Sequence, residues 1–316
     1  MMGEFDLIKR FFDRKELRPG PSMALGPGDD CALLELPCDH QLCVTSDTFV
    51  SGVHFYSDML PNQIAMRCLA ASVSDLAAMG AQPAWFNLCL TIPSADEPWL
   101  ASFSEGLASK ALECGISLAG GDTTKGALCI SIHAMGFTPN GLAITRAGAM
   151  DNDVIMVSGT LGDSAAGLQI MKDNRQSEDY LSQRFYNPTA RIELGKWLRG
   201  KASACLDISD GLVQDLGHIL KASQCGADIN VNQLPLSKQL LAYAKLPQAQ
   251  QYALAGGEDF ELCFTLPENL VAKAQTFAQQ NQLLLTPIGH ISKHKGCRIH
   301  QGDQGPFEPS PGYQHF

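Results

Sequence analysis

Acidic residues beside glycines, or at the ends of apolar segments, are the most distinctive chemical feature of this sequence. They occur in GPGDDC, VTSDTFV, SVSDLAAMG, AGGDTT, LDISDGL and AGGEDFE, and they are Asp29, Asp30, Asp47, Asp75, Asp122, Asp207, Asp210, Glu258 and Asp259. A single Asp in such a place is usually a turn former or a helix cap. Because oxygen ligands select hard cations, the whole set favours binding of Mg²⁺ or Mn²⁺.

Among these residues, Asp75 provides the strongest argument for a bound metal ion. It lies in an apolar segment that predicts a helix, and most residues one turn away from it, such as Ala71, Ser72 and Ala78, are small. Burial of an unpaired carboxylate costs several kcal/mol. No Lys or Arg lies within one helical turn, so a buried Asp75 needs a distant cation or a metal. The alternative is that Asp75 faces water.

Two further turns allow either a structural or a functional interpretation. Asp207 and Asp210 flank a predicted strand-to-helix turn, where Ser209 or Asp210 is a helix cap, or where the turn also binds magnesium and a phosphate near the helix N-terminus. The segment GGDTTKG at 120–126 follows an apolar strand. It is either a tight turn or a place where the backbone approaches a ligand closely.

Several classes of protein are excluded by what the sequence lacks. It has no G-x-x-x-x-G-K-[ST] loop, no protein-kinase motifs and no paired histidines of a zinc site. The net charge of −10 argues against nucleic-acid binding.

The N-terminal segment lacks the apolar core of a signal peptide, and the longest uncharged run contains prolines, so we expect neither export nor a membrane anchor. The 11 cysteines form no C-x-x-C pair, which indicates free thiols in a reducing cytoplasm.

Alternating strand and helix patterns predict two α/β domains, residues 1–148 and 149–316. Strands are predicted over 31–36, 41–45, 85–92, 116–119, 127–137, 153–158, 204–208, 262–266 and 283–291. Helices are predicted over 61–79, 97–113, 163–172 and 210–222, with another after Pro188. The polar stretch 173–187 is predicted to be exposed.

The order of the motifs resembles that of the thiamine-monophosphate kinase family. From about Gly3 to Phe316 it runs GDDCALL, TSDTFVSGVHF, SVSDLAAMGAQPAWFNLCL, LAGGDTT, AITRAGA, GTLGDSAAGL, LDISDGL, AGGEDFELCF and GYQHF. The resemblance implies the α/β (α+β) two-domain fold of the aminoimidazole ribonucleotide synthetase type. It further implies an N-terminal sheet domain that forms a homodimer, a C-terminal α/β domain, and ATP with several Mg²⁺ ions between the domains.

The resemblance also implies roles for individual residues. The metal ligands would be Asp30, Thr45, Ser46, Asp47, Asp75, Asp122, Asp207 and Asp210. Contacts to the nucleotide would come from Gly121, Asp122, Arg146 and Ser209, and contacts to the thiamine phosphate from His54, Glu258 and Tyr313. Catalysis would depend on Asp30, Asp47, Asp75, Asp122, Arg146 and Asp210. The family's adenine-side contact on the helix around Glu105 has no clear counterpart here.

Such a residue set suits ATP-dependent phosphorylation of thiamine monophosphate to thiamine diphosphate. The acceptor phosphate is already ionised and needs no strong base, whereas two anions need cations to bring them together. Arg146 is the natural side chain to stabilise charge on the phosphates. One alternative is another ATP-dependent enzyme of this fold, but selenophosphate synthetase requires an early Cys and the hydrogenase maturation protein a terminal Cys. The other alternative is a non-catalytic magnesium- or nucleotide-binding module.

Overall fold

The computed structural model describes residues 4–310, apart from residues 22, 28, 174–178 and 303–304. The chain divides into two units, the first comprising Met1–Ala77 and Ala81–Gly141 and the second comprising Ala78–Gly80 and Leu142–Phe316. Residues 142–148, which the sequence predicted to lie in the first domain, therefore belong to the second unit.

The first unit is built on a four-stranded sheet in the order β1-β4-β2-β3, in which only the β2–β3 pair is parallel. Its elements are α1 (Glu4–Leu7), which continues as a π-helical turn over Ile8–Phe12, β1 (His40–Val50), α2 (Pro61–Ala78), β2 (Gln82–Ile92), α3 (Glu97–Cys114), β3 (Ser117–Lys125) and β4 (Cys129–Pro139). The helices α2 and α3 form as predicted, because α2 buries most of its residues and α3 buries one face.

Strand β1 is an edge strand whose two faces differ in character. Side chains alternate across a strand, so Thr45 and Asp47 share one face. Leu42, Val44 and Val50 share the other face and are exposed. The exposed apolar residues Leu42, Val44 and Val50 and the acidic Asp47 therefore lie on opposite faces of β1.

The strand predicted over 31–36 is wrong. This segment forms only an isolated bridge between Leu25 and Leu33. Its alternating apolar residues are used differently, since Ala32 and Leu34 pack against Trp85 and its neighbours on the sheet. The segment covers the sheet and does not extend it.

The second unit contains a six-stranded sheet in the order β10-β7-β9-β5-β8-β6, mostly antiparallel. Its elements are β5 (Val154–Ser158), α4 (Asp163–Asp173), α5 (Tyr180–Tyr186), α6 (Ile192–Leu198), β6 (Ala204–Asp207), α7 (Leu212–Ser223), β7 (Gly226–Asn230), α8 (Lys238–Tyr243), α9 (Leu246–Ala255), β8 (Leu262–Leu266), α10 (Glu268–Gln280), β9 (Leu285–Ser292) and β10 (Gly296–His300). No helix in the described part of the chain combines the length and apolarity needed to cross a membrane.

Both faces of this sheet are covered, which explains why β5 and β8 are apolar without alternation. Ile155 and Val157 of β5 belong to a core that includes α7. Val154 and Met156 belong to a second core that includes α6 and α10. Strands buried on two faces read as continuous apolar runs.

The prediction that 173–187 is an exposed polar stretch is wrong for its second half. Asp179 caps α5 by accepting from the Ser182 N–H, and Leu181 and Phe185 are buried. Because these apolar residues are four apart, they lie on one face of the short helix. The elements β7, α8, α9, α10 and β10 were not predicted.

Candidate active site

The predicted site residues divide between the two units. The first unit contains Asp30, Thr45, Ser46, Asp47, His54, Asp75, Gly121 and Asp122, and the second contains Arg146, Asp207, Ser209, Asp210 and Glu258. Tyr313 lies outside the described residues. Two groups of candidate side chains result, one in each unit.

Strand β1 and helix α2 bring three of the predicted metal ligands together. The Thr45 hydroxyl donates to Asp75 Oδ2 at 2.5 Å. Asp47, on the same face of β1 as Thr45, is close enough to Asp75 for the two charges to interact. Asp75 is partly buried in the last part of α2, one turn after the small, buried residues Ala71 and Ser72.

The electrostatics of Asp47 suit a hard cation. Burial raises the pKa of Asp47 to about 6, and the charge of Asp75 adds to this against the opposing effect of the Ser72 hydroxyl. Among the described residues, Asp47 Oδ2 has no hydrogen-bond partner although it is buried. Two carboxylates that repel each other in a partly desolvated place are stabilised by a divalent cation, so these residues fit magnesium.

Ser46 and His54 are positioned differently from this pair. The Ser46 hydroxyl and His133 Nδ1 are 2.7 Å apart on the exposed face of the sheet, so the Ser46 side chain does not join Thr45 and Asp47. The Val50 N–H donates to His54 Nδ1 at 3.0 Å. Since Nδ1 accepts, we assign the proton of the ring to Nε2, which can donate to an anion.

A cavity of about 770 Å³ in the first unit contains two more predicted ligands. Asp30 and Asp122 both line it, together with the glycine backbone at 120–121 and apolar side chains such as Phe12 and Leu118. A Cβ at Gly121 would lie 1.8 Å from the carbonyl oxygen of Leu88, so β2 and β3 pack too closely there for any side chain. Asn87 also lines the cavity and was not predicted, although an Asn within the apolar strand WFNLCL was a usable signal.

Two adjoining loops position the candidates of the second unit. Asp207 is the last residue of β6, the loop after it contains Ser209 and Asp210, and the loop before β8 contains Glu258. The Glu258 N–H donates to the Ser209 carbonyl at 2.8 Å, and the Phe260 N–H to the Ile208 carbonyl at 2.9 Å. The structure therefore brings the predicted metal and acceptor residues of this unit together.

The predicted cap of α7 is wrong. The N-cap is Gly211, and no side chain of Ser209 or Asp210 caps the helix. Instead Asp215 Oδ2 accepts the N–H groups of Ser209, Asp210 and Gly211 at 3.0, 3.0 and 3.1 Å. These N–H groups are not available to a phosphate, so the expected phosphate site at this helix N-terminus is not supported. The signal that could have found Asp215 is an acidic residue one turn inside a helix that follows a glycine turn.

A buried charge network lies directly after Glu258 in the chain. The Glu261 side chain is fully buried and pairs with Arg191 at 2.5 Å and Arg184 at 2.9 Å. Burial alone would raise the pKa of Glu261, but the charges of Arg191 and Arg184 and the hydrogen bonds from Arg191 and Ser158 lower it. Asp259 accepts the Gly162 and Ser164 N–H groups at the start of α4.

Arg146 and Asp207 complete the candidates of the second unit. The Arg146 side chain is exposed, and its backbone lies beside the start of β6 because the Cys205 N–H donates to the Thr145 carbonyl at 3.0 Å. Asp207, at the end of β6, is buried. Within the described part of the chain, no three acidic, His or Cys side chains come close enough to hold a metal by themselves. The acidic candidates instead occur singly and in pairs.

Comparison with known proteins identifies the family. The model of the AIR synthase related protein N-terminal domain matches residues 28–138, and that of the C-terminal domain matches residues 151–301. The thiamine-monophosphate kinase of Escherichia coli K12 is 49% identical over 321 residues, which cover 99% of this chain and 98% of the relative. This chain belongs to the thiamine-monophosphate kinase family.

Solved structures agree with this family and its two-domain fold. The thiamine-monophosphate kinase of Stenotrophomonas maltophilia K279a has a TM-score of 0.85 and 39% identity, covering 93% of this chain and 94% of that one. AaThiL complexed with AMPPCP and TMP has a TM-score of 0.78 and 32% identity, covering 100% and 97%. The aminoimidazole ribonucleotide synthetase-like fold expected from the motifs is therefore confirmed.

Proposed function

We propose that this protein transfers the γ-phosphate of ATP to thiamine monophosphate and thereby forms thiamine diphosphate and ADP. The observation that carries the proposal is the cavity of the first unit, where Asp30 and Asp122 lie beside the closely packed glycine backbone at 120–121. Carboxylates next to accessible backbone suit a nucleotide that binds with a metal ion. Full-length similarity to thiamine-monophosphate kinases supports the same reaction.

Magnesium would be held by the acidic residues in small groups. The first unit would provide two groups, one made of Thr45, Asp47, Asp75 and the backbone of Ser46, and the other made of Asp30 and Asp122. The second unit would provide Asp207 and Asp210. A Mg²⁺ ion usually takes one or two carboxylates and completes its shell with water and substrate phosphates. Among the described residues, no group of three or more acidic, His or Cys side chains could hold a metal, which is consistent with such partial coordination by the protein. When bound, magnesium supplies the positive charge that reduces repulsion between the two phosphates.

The protein's own residues would bind and orient the two substrates. Gly121 would provide a backbone contact for the nucleotide. Ser209 would contribute its side-chain hydroxyl, since its N–H and carbonyl are bonded to Asp215 and Glu258. Arg146, an exposed cation, would neutralise phosphate charge. His54 can donate from Nε2 to the acceptor phosphate. Glu258 can pair with the cationic thiazolium ring, and Tyr313 is proposed as a ring contact from the motif alone.

Transfer would be direct and without a phosphorylated enzyme. An oxygen of the thiamine phosphate forms a bond to the γ-phosphorus as the bond to the β,γ-bridging oxygen breaks, and ADP leaves. No His lies inside the glycine–aspartate motifs, their one cysteine is Cys31 of GPGDDC, and the carboxylates are needed as metal ligands. Incubation with γ-labelled ATP alone should leave the denatured protein unlabelled, whereas label that chases into product would contradict direct transfer.

The protein would act as a cytoplasmic homodimer through the sheet of the first unit. The exposed face of β1 presents Leu42, Val44 and Val50, which are 44%, 58% and 39% exposed. An apolar face of an edge strand favours contact with a second copy. The eleven cysteines, all within the described residues, form no disulfide, which is consistent with a reducing compartment.

One assay tests the reaction. Release of ADP is measured by a coupled assay with ATP and Mg²⁺, with and without thiamine monophosphate, for the wild type and for Asp228→Asn as a control at an exposed ion pair. We expect ADP release only with thiamine monophosphate, and equal rates for both proteins. Nucleotide binding without turnover would favour the non-catalytic module, and turnover that is independent of thiamine monophosphate would favour another enzyme of the fold.

A further inference from the structure

Asp215 makes an unusual set of contacts for a residue inside a helix. Its side chain is 4% exposed, and one oxygen, Oδ2, accepts three successive backbone N–H groups from residues 209–211. Its own N–H donates to the Gly211 carbonyl at 3.0 Å. The loop after β6 is therefore curled around a carboxylate that the protein itself provides.

These contacts decide how the loop presents its side chains. Three N–H groups that converge on one anion hold the peptide planes of residues 209–211 in fixed directions. Gln214 Nε2, in the same first turn of α7, donates to Asp210 Oδ2 at 3.1 Å. The orientation of the Asp210 carboxylate thus depends on the first turn of α7. In that turn Gln214 bonds the Asp210 side chain and Asp215 bonds the Asp210 backbone N–H.

The opposite side of this loop carries the acceptor residue. The Ser209 carbonyl accepts from the Glu258 N–H at 2.8 Å, and the Ile208 N–H donates to the Glu261 carbonyl at 2.8 Å. Ser209 is thereby bonded to Asp215 through its N–H and to Glu258 through its carbonyl. A change at Asp215 is transmitted to both loops through this single residue, by the two peptide units on either side of its Cα.

We propose that Asp215 is a positioning residue that sets the orientation of Asp210 and Glu258 without itself contacting metal or substrate. The inference rests on the proposed function, because it assumes that Asp210 binds magnesium and Glu258 the acceptor. The proposal adds Asp215 as a residue that couples the orientation of Asp210 to that of Glu258. Loss of Asp215 should therefore weaken the responses to magnesium and to thiamine monophosphate together, in protein that remains folded.

The experiment compares Asp215→Asn and Asp215→Ala with Asp153→Asn. Asp153 is a matched control because it is also 4% exposed and accepts a backbone N–H, from Met150, elsewhere in the same unit. Hydrogen exchange of the amides at 209–211 and 258 is measured first. Binding of AMPPCP is measured next as a function of Mg²⁺ concentration. Steady-state kinetics then give the apparent Michaelis constant for thiamine monophosphate and the apparent activation constant for Mg²⁺.

We expect the amides to exchange at least tenfold faster in Asp215→Ala, with both apparent constants raised at least fivefold and a smaller rise in Asp215→Asn. Asp153→Asn should lower the melting temperature and leave these constants unchanged. If Asp215→Ala does not fold, Asp215→Asn carries the test. Unchanged constants in folded variants, or a fall in activity that only follows the folded fraction, would overturn the proposal.

Failure of the proposed function gives a different result. In that case the wild type shows no ADP release that depends on thiamine monophosphate. The dependence of AMPPCP binding on Mg²⁺ then still tests Asp215. An unchanged dependence in both variants would reject the positioning role, and a weaker one would retain it for the nucleotide.

Discussion

The backbone N–H of Glu258 donates to the carbonyl oxygen of Ser209 at 2.8 Å. This bond joins the loop expected to recognise the acceptor to the loop expected to contact metal and nucleotide. Both loops also depend on close packing, since a Cβ at Gly257 would lie 2.1 Å from the same Ser209 oxygen. The separation of the two loops is thus set by backbone contacts and leaves little room for change.

Gly257→Ala should push these loops apart. The added methyl group meets backbone atoms, which cannot move aside as a flexible side chain does, so we expect a loss of about 1–3 kcal/mol in stability and a raised apparent constant for thiamine monophosphate. Gly217→Ala is the control, because a Cβ there meets nothing within 4 Å, and helix propensity predicts a gain of up to about 1 kcal/mol. Thermal unfolding and steady-state kinetics check both, and equal behaviour of the two variants would contradict the packing argument.

Glu258→Gln should weaken acceptor binding more than ATP binding. Loss of a charge contact to the thiazolium ring, worth ~1.4–2.8 kcal/mol, raises the acceptor's apparent constant by roughly ten- to a hundredfold. Steady-state kinetics in which each substrate and Mg²⁺ are varied separately provide the measurement, with the exposed Glu268→Gln as control. A defect relieved by extra Mg²⁺ would instead identify Glu258 as a metal ligand, and an unchanged constant would remove it from the ring site.

Asp75→Asn should reduce turnover by orders of magnitude while the protein stays folded. The amide keeps an oxygen that can accept the Thr45 hydroxyl, but it loses the charge that a cation requires. Turnover at saturating Mg²⁺ and circular dichroism provide the comparison, with Asp228→Asn as control. Near-normal activity would show that Asp75 is not part of the metal site.

Magnesium binding should strengthen as the pH rises from 5 to 7. The pKa of Asp47 is raised to about 6, so the proton must leave before the carboxylate can bind a metal. For the same reason, the metal-free protein should lose stability as the pH rises from the ordinary pKa of 3.8 towards 6, because folding disfavours the ionised form.

Calorimetric titration of Mg²⁺ with AMPPCP between pH 5 and 7.5 tests the prediction about Asp47. The nucleotide phosphate also titrates in this range. The informative quantity is therefore the difference between the wild type and Asp47→Asn, which should show the weaker dependence on pH. Identical slopes in the two proteins would contradict the role of Asp47.

Glu261→Gln should destabilise the second unit. It leaves Arg184 and Arg191 partly buried without their carboxylate, a change that costs about 3–5 kcal/mol. Because the pKa of Glu261 is lowered on folding, its contribution is present above the ordinary value of 4.5 and is lost as the pH falls below it. Urea unfolding at pH 7 and pH 4 should therefore show a large difference from the wild type at pH 7 and a smaller one at pH 4. An equal difference at both pH values would contradict this assignment.

Local patterns predicted the elements that carry most candidate residues. The small-residue face around Asp75 and the apolar face of α7 follow from helical periodicity, and both helices form. The segment 31–36 shows where local patterns fail. Alternating apolar and polar residues indicate a strand, whether the segment joins a sheet or only packs on one. Whether Ala32 and Leu34 pair or pack depends on contacts distant in sequence.

The role of Asp215 could not be predicted for a related reason. An acidic residue in the first turn of a helix indicates a favourable interaction with the helix dipole, and it does not indicate which N–H groups the carboxylate accepts. The three donors converge because the loop at 208–210 is also bonded to residues 258–261. The pairing of Glu261 with Arg191, 70 residues away, is equally invisible to a local pattern.

The two faces of β1 impose a constraint on how this strand can change in length. Thr45 and Asp47 face α2, whereas Leu42, Val44 and Val50 face outwards, so point substitutions can alter one face without affecting the other. Insertion or deletion of one residue between His40 and Asp47 would rotate every following side chain to the opposite face. Such a change would remove the carboxylate and disturb the outer apolar face in a single event. We therefore expect a library of single-codon insertions and deletions to be depleted between His40 and Asp47, more strongly than single substitutions at Leu42 and Val44.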